Sequence, residues 1–307
     1  MPKDYITTEE GLYFAVVLHG IAGWSVHCSL RYVLMQDGSP LKVGTDQAIE
    51  FLQKNHSHFI AYSELLDAEA VLVPTEKITT VYKPGAALKQ IEHSSSGDKL
   101  KQTAAACIEI FVRNGIRRNV FGITGSLLLD FHNAGSDIDM VFYDSEAFRM
   151  ARDIIRKSAN GTRLLDDAEW LDAYRRRGCM MDFNEYKKHE IRKYNKFMLY
   201  GTKIDISYVP LQKDQEYKPP VNKLGPSTIR GKVTDDSRVF DYPARYITDN
   251  PEIRQIYCYT ATYTGQAFAG EYIEASGMLE RDAEGRQYLV IGTSREAPGE
   301  YIRVIGL

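Results

Sequence analysis

The sequence has few of the features that announce a secreted, membrane-bound or zinc-organised protein. Its four cysteines, Cys28, Cys107, Cys179 and Cys258, lie far apart and form no C-x-x-C pair. That spacing excludes a zinc knuckle or a thioredoxin-like redox motif and fits a reducing compartment. Its seven histidines show neither H-x-H nor H-E-x-x-H, so none is assigned a metal. The longest apolar run, Tyr13–Trp24, is too short to cross a bilayer and is interrupted by His19. Met1 is followed by Pro2, Lys3 and Asp4 rather than by an apolar signal core. A cytoplasmic protein without a membrane partner is expected. No charge sign dominates: the formal charge is −3 at pH 7, which indicates no global electrostatic grip on nucleic acid and leaves room only for a local basic patch. There is no internal repeat and no long low-complexity tract. Tyrosine is what the chain has in surplus, twenty in all.

Hydrophobic periodicity divides the 307 residues into an N-terminal α+β extension (1–82), a central α/β or α+β region (83–212), a linker (213–226) and a C-terminal small β-barrel (227–307). The first segment reads as strands over Leu12–His19 and Trp24–Met35, a helix over Thr45–Asn55 and a short strand Val71–Pro74. It suggests no chemistry. In the centre, a helix is expected from Asp98 to Asn114 with Gly115 as its stop. A strand Asn119–Ile123, a helix opening Ser126–Phe131 and a strand Ile138–Tyr143 follow. Helices over Ser145–Ala159, Asp166–Arg177 and Glu185–Asn195 precede a strand at Lys203–Ser207. Lys213–Pro226 carries three prolines and no hydrophobic period. Beyond it, short strands at Ile229–Val233, Arg254–Tyr263, Glu271–Leu279, Tyr288–Gly292 and Tyr301–Ile305 suggest the barrel.

The chemistry is concentrated in ITGSLLLDFHNAGSDIDMVFY, which ends at Tyr143. Asp137 and Asp139 are two residues apart on an expected strand, so their side chains leave one face, roughly 6–7 Å apart at the Cα atoms. Carboxylates so placed repel one another unless a cation intervenes; a hard divalent ion, or two ions about 4 Å apart, suits them. Ile138 and Met140 would point into the core. Gly125 lets a phosphate approach the backbone, and a helix opening at Ser126 offers free N–H groups and a hydroxyl. Asp205, in KIDIS, is a charge between isoleucines on another expected strand, costly without a partner. It is the candidate third carboxylate.

A G-S pair, about ten residues, D-h-D, and a later h-D-h strand together resemble the DNA polymerase beta-like nucleotidyltransferase superfamily. The match covers about a quarter of the chain. The stretches RYVLMQDGSPLKV, VPTEKITTVYKP, VTDDSRVFDYPARY and GEYIEASGMLE add a wider similarity to a mainly archaeal family of predicted nucleotidyltransferases. The resemblance implies an α+β fold with a nucleotidyltransferase-type mixed sheet and helices, flanked by the N-terminal extension and an OB-like barrel. It implies transfer of a nucleoside monophosphate from a nucleoside triphosphate to a hydroxyl acceptor, with two Mg2+ ions (Mn2+ as substitute) and release of pyrophosphate. Gly125 and Ser126 would hold the β- and γ-phosphates. Asp137 and Asp139 would ligate both metals, and Asp205 would bind one and activate the acceptor.

Other signals carry less. Asp166-Asp167 and Asp235-Asp236 are adjacent pairs whose side chains diverge, and Asp166-Asp167 suits a helix start. His189, Arg192, Lys193 and Lys196 would share a helical face. Within the basic stretch Lys187–Lys196, Lys193 is the candidate phosphate contact, against the plainer reading of a solvated helix face. Tyr257, Tyr259 and Tyr263 would line one strand face, as barrel core or as a surface that stacks bases. RNA, protein, an antibiotic and a small metabolite all remain open as the hydroxyl-bearing acceptor. Two alternatives stand beside the transferase: a D-x-D glycosyltransferase using a nucleotide-sugar, and a non-catalytic nucleotide- or RNA-binding protein on the same scaffold.

Overall fold

A computed structural model describes residues 1–92, 97–158, 160–211, 221–293 and 298–307. The fold is mixed α+β, with seven α-helices among the described residues. The chain groups into two compact units, Met1–Ala147 with Thr202–Lys218, and Phe148–Gly201 with Pro219–Leu307. The region expected as one catalytic domain, 83–212, is thus shared between two units.

The first unit opens with strands β1 (Tyr5–Thr8), β2 (Leu12–Val16), β3 (Ser25–Leu34) and β4 (Pro40–Lys42), helix α1 (Thr45–Asn55), and strands β5 (Ile60–Ser63), β6 (Ala68–Pro74) and β7 (Ile78–Tyr82). These strands make one sheet in the order β5-β6-β3-β2-β1-β7, with β4 on β3. Alternation on β2 sends Leu12, Phe14 and Val16 inward, where they meet Leu30, Leu52, Phe59 and Val73 in one buried cluster. A β-bulge interrupts the pairing of β2 with β3: Tyr13 faces Tyr32 and Phe14 faces Leu30, which leaves Arg31 as the extra residue.

Helices α2 (Pro84–Glu92) and α3 (Lys99–Arg113) lead to β8 (Phe121–Thr124), α4 (Gly125–Leu128) and β9 (Ile138–Phe142). Helix α3 starts where its sequence signal places it, because the Asp98 side chain accepts from the N–H groups of Leu100 and Lys101. Helix α4 is a single turn, not the longer helix expected to Phe131. Asp130, at φ +59°, closes it as the N–H groups of Asp130 and Phe131 bond to the carbonyls of Leu127 and Ser126. Behind β8 and β9, Phe111, Phe121 and Phe142 pack with ring centroids 5.4–6.1 Å apart. Each such buried ring contributes on the order of 2–3 kcal/mol.

Helix α5 (Ser145–Arg156) carries the chain into the second unit, which continues with β10 (Thr162–Arg163), α6 (Asp167–Arg175), α7 (Phe183–Ile191) and β11 (Lys196–Leu199). Asp166 caps α6 in a capping box with Glu169, the role its sequence suggests. Strand β12 (Thr202–Tyr208) returns to the first unit, where it runs parallel to β9 while β8 runs antiparallel on β9's other side. The second unit then resumes with β13 (Val221–Asp235), β14 (Ala244–Thr248), β15 (Gln255–Cys258), β16 (Tyr272–Asp282), β17 (Gln287–Ile291) and β18 (Tyr301–Val304). Strands β13-β14-β15-β17-β16 close into a five-strand barrel through the pairing of β16 with β13, and β18 adds to β16. Of the expected linker, 213–220 lies outside the described residues, while Val221–Pro226 is already strand, bulged between Lys223 and Gly225.

Candidate functional site

The carboxylates come from strand alternation. Ile138 and Met140 on β9 are fully buried, as are Ile204 and Ile206 on β12, so Asp139 and Asp205 are turned to the opposite face. The register sets Asp205 directly beside Asp139 across the parallel pair, one strand spacing of about 4.8 Å away. Asp137 lies just ahead of β9, and the Lys203 ammonium is 2.6 Å from its Oδ2 and 3.9 Å from Oδ2 of Asp205. The other oxygen of Asp205, Oδ1, is buried and has no hydrogen-bond partner. Such an atom calls for a proton or a cation. Asp139 keeps some surface in solvent, yet desolvation by the protein packed around it pushes its carboxyl above the ordinary carboxylate range, and Asp205 and then Asp137 add to this against Lys3 and Lys203.

The G-S turn meets these carboxylates at the end of β8. Thr124 is the register partner of Asp139, and Gly125 follows at φ +73°. A Cβ on Gly125 would stand 2.7 Å from Oδ2 of Asp139, so only glycine admits both this backbone and this carboxylate. A one-turn helix carries almost no macrodipole. What Gly125-Ser126 offers an anion is therefore local: backbone N–H groups and the Ser126 hydroxyl.

Residues the sequence did not flag also lie here. The N-terminal segment reaches the same place: the Thr124 hydroxyl donates to the Lys3 carbonyl at 2.6 Å. Tyr5 and Tyr32, both buried, lie within electrostatic reach of Asp139 and of Arg31. Burial raises both phenols' pKa values, so they stand as neutral hydroxyls. The only hint in the sequence was the similarity carried by RYVLMQDGSPLKV, which begins at Arg31.

Two expectations are corrected. Lys193 does not face a phosphate site: it belongs to the second unit, is fully buried, and its ammonium donates to Glu190 and, at 2.7 Å, to the Thr262 carbonyl. Burial pushes it down to about 8, partly offset by Glu190. Burial alone would raise Glu190, but Lys193 and Lys196 outweigh that and hold it down to about 2. Helix α7 ends at Ile191, so the supposed basic face dissolves; His189 is buried, and its Nε2 accepts from the Val304 N–H at 3.0 Å.

The tyrosine face also divides. Ile256 and Cys258 fill the barrel, and Tyr263 joins that core from beyond the strand. Tyr257 and Tyr259 pack outside it against Tyr288 and Val290.

Among the described residues, no three His, Cys, Asp or Glu side chains converge as a ready ligand set for a metal. The Asp139–Asp205 pair fits an ion that takes one or two protein carboxylates and fills its shell with water and substrate phosphate, as magnesium does. No helix among these residues is long and apolar enough to cross a membrane.

No family model matches the chain, and no solved structure matches it. The chain is similar to an uncharacterized protein of Methanocaldococcus jannaschii, with 29% identity over 98% of this chain and 98% of that protein.

Proposed function

We propose that the chain is a magnesium-dependent nucleotidyltransferase that moves a nucleoside monophosphate from a nucleoside triphosphate to a hydroxyl acceptor. The observation that carries this reading is the carboxylate pair Asp139–Asp205 on adjacent parallel strands, with an orphaned Asp205 oxygen, next to a glycine turn built against Asp139. On this reading β8, β9 and β12 form the nucleotidyltransferase-type sheet, and the closed barrel is OB-like. Asp139 and Asp205 would hold magnesium, with Asp137 beside them and manganese as a substitute; the ion supplies charge neutralisation and acidifies the acceptor hydroxyl.

The chain's own residues do the rest. Gly125 and Ser126 orient the β- and γ-phosphates through backbone N–H groups and the hydroxyl. The acceptor oxygen attacks the α-phosphorus, the bond to the β-phosphate oxygen breaks, and pyrophosphate leaves. Asp205 Oδ1 takes the acceptor's proton. Lys203 answers part of the charge on Asp137 and Asp205 when no substrate is present.

The test is label transfer from each α-labelled nucleoside triphosphate, with magnesium or manganese, into separated RNA, DNA, protein and metabolite fractions. Label in one fraction, present with wild type and absent with Asp139→Asn, is the expected result. No label in any fraction would refute the reading and turn attention to nucleotide-sugar transfer or to binding without chemistry.

A further inference from the structure

Lys203 is a long cationic side chain that does not reach for water. Ile204 and Ile206 fill the buried face of β12, so Lys203 and Asp205 share the other face. Ile204 is the register partner of Ile138, which brings Lys203 level with Asp137, one residue earlier on each strand. Lysines ordinarily lay their stems on the protein and keep the charged head in solvent, yet only 12% of this side chain is exposed. Its ammonium turns instead between two acids, 2.6 Å from Oδ2 of Asp137 and 3.9 Å from Oδ2 of Asp205.

One ammonium is a weak answer to this cluster. It sets a single positive charge against the carboxyls of Asp137, Asp139 and Asp205, and it leaves Oδ1 of Asp205 buried without a hydrogen-bond partner. A divalent ion bound about 2.1 Å from Oδ2 of Asp205 would stand no more than about 6 Å from the ammonium. Like charges that close, with little water between them, repel. Ion and ammonium therefore compete for the same acids. A lysine displaced from them has a flexible stem and three donors to offer, and phosphate oxygens suit such a point charge.

We propose that Lys203 is an exchangeable counter-ion of the acid cluster: its ammonium holds Asp137 and Asp205 when no ion is bound, leaves them when a divalent ion binds, and then contacts the polyphosphate of the substrate. The inference rests on the nucleotidyltransferase reading and supplies its phosphate contact from β12, in place of the buried Lys193.

Titration calorimetry on wild type and Lys203→Met tests it, first with magnesium alone and then with inorganic tripolyphosphate in the presence of magnesium. The two probes should move in opposite directions: the variant is expected to bind magnesium about tenfold more tightly and tripolyphosphate about tenfold more weakly. In protein labelled with 15N at the lysine Nζ atoms, the Lys203 signal, identified by its loss in Lys203→Met, should shift as magnesium binds and again as tripolyphosphate is added. Thermal midpoints confirm that the variant is folded, and Lys203→Gln serves if it is not. A Lys203 signal unmoved while magnesium binds, or wild-type tripolyphosphate affinity in a folded variant, overturns the inference and leaves the transferase reading intact. The expected shifts and affinities without any label transfer uphold the exchange and sink the transferase. If wild type binds neither probe, both fall.

Discussion

Gly125→Ala is the sharpest perturbation of the site, because it adds one methyl group to a place already occupied. The residue sits at φ +73°, and the added carbon would lie 2.7 Å from Oδ2 of Asp139. The left-handed backbone costs an alanine about 1–2 kcal/mol. Relief of the clash, to an ordinary contact of 3.4 Å, requires the carboxylate to withdraw by roughly 0.7 Å. Displacements near that size cost a reaction on the order of a hundredfold when they misalign reacting groups. The expected variant is therefore folded, weaker by about 1–2 kcal/mol in urea unfolding, and about a hundredfold slower in label transfer. Gly122→Ala is the control. Its Cβ would meet backbone atoms of Pro84 and Gly85 at 2.5 and 2.7 Å, so it strains the packing of α2 on β8 without touching a carboxylate. It should cost stability, about 1–3 kcal/mol, and keep its activity per folded molecule. Wild-type transfer by Gly125→Ala would refute the claim that this turn sets the position of Asp139.

Three further outcomes follow from the same geometry. Asp139→Asn should abolish transfer and yet raise the thermal midpoint at neutral pH. The folded chain holds the Asp139 proton more tightly than the unfolded one, so wild-type stability falls as pH rises from the ordinary carboxylate range through the raised value. The two proteins should converge below that window and differ above it; a variant less stable than wild type at pH 7 would contradict this. Glu190→Gln leaves Lys193 and Lys196 buried without their shared carboxylate, and should cost about 3–5 kcal/mol by denaturant unfolding. Replacing all three by apolar residues of similar volume should restore most of the loss. Asp98→Ala removes the cap of α3 and the 2.6 Å contact to His132, at a cost of about 1 kcal/mol with transfer retained.

Local signals in the sequence proved readable wherever a residue acts on its own neighbours. Helix α1 runs over the expected Thr45–Asn55, Asp98 and Asp166 cap the helices they precede, and the h-D-h patterns of β9 and β12 place their aspartates on one face. Longer-range facts were hidden. Helical spacing told which basic residues share a face, not whether that face meets solvent, so Lys193 was misplaced. The Pro-Gly start of α2 reads as a turn, and β14 follows Pro243 closely enough to read as loop. The pairing of Arg31 and Tyr32 opposite Tyr13 was hidden too, because it depends on a register slip between two strands. Alternation in β15 predicted two faces, but only the closed barrel decides that Ile256 and Cys258 take the inner one.

The order of synthesis gives the divided first unit a further meaning. Asp137 and Asp139 leave the ribosome well before Asp205, since the whole stretch from Phe148 to Gly201 must be made between them. Until then β9 has β8 on one side and no parallel partner on the other. An unfinished chain therefore carries the glycine turn and two of its acids, but not the pair that would bind an ion. On the proposed reading, a nascent or truncated product ending anywhere in that excursion would be inactive. The Asp139–Asp205 pair is completed only when β12 arrives, so on the same reading the site would form in the same event that completes this sheet of the first unit.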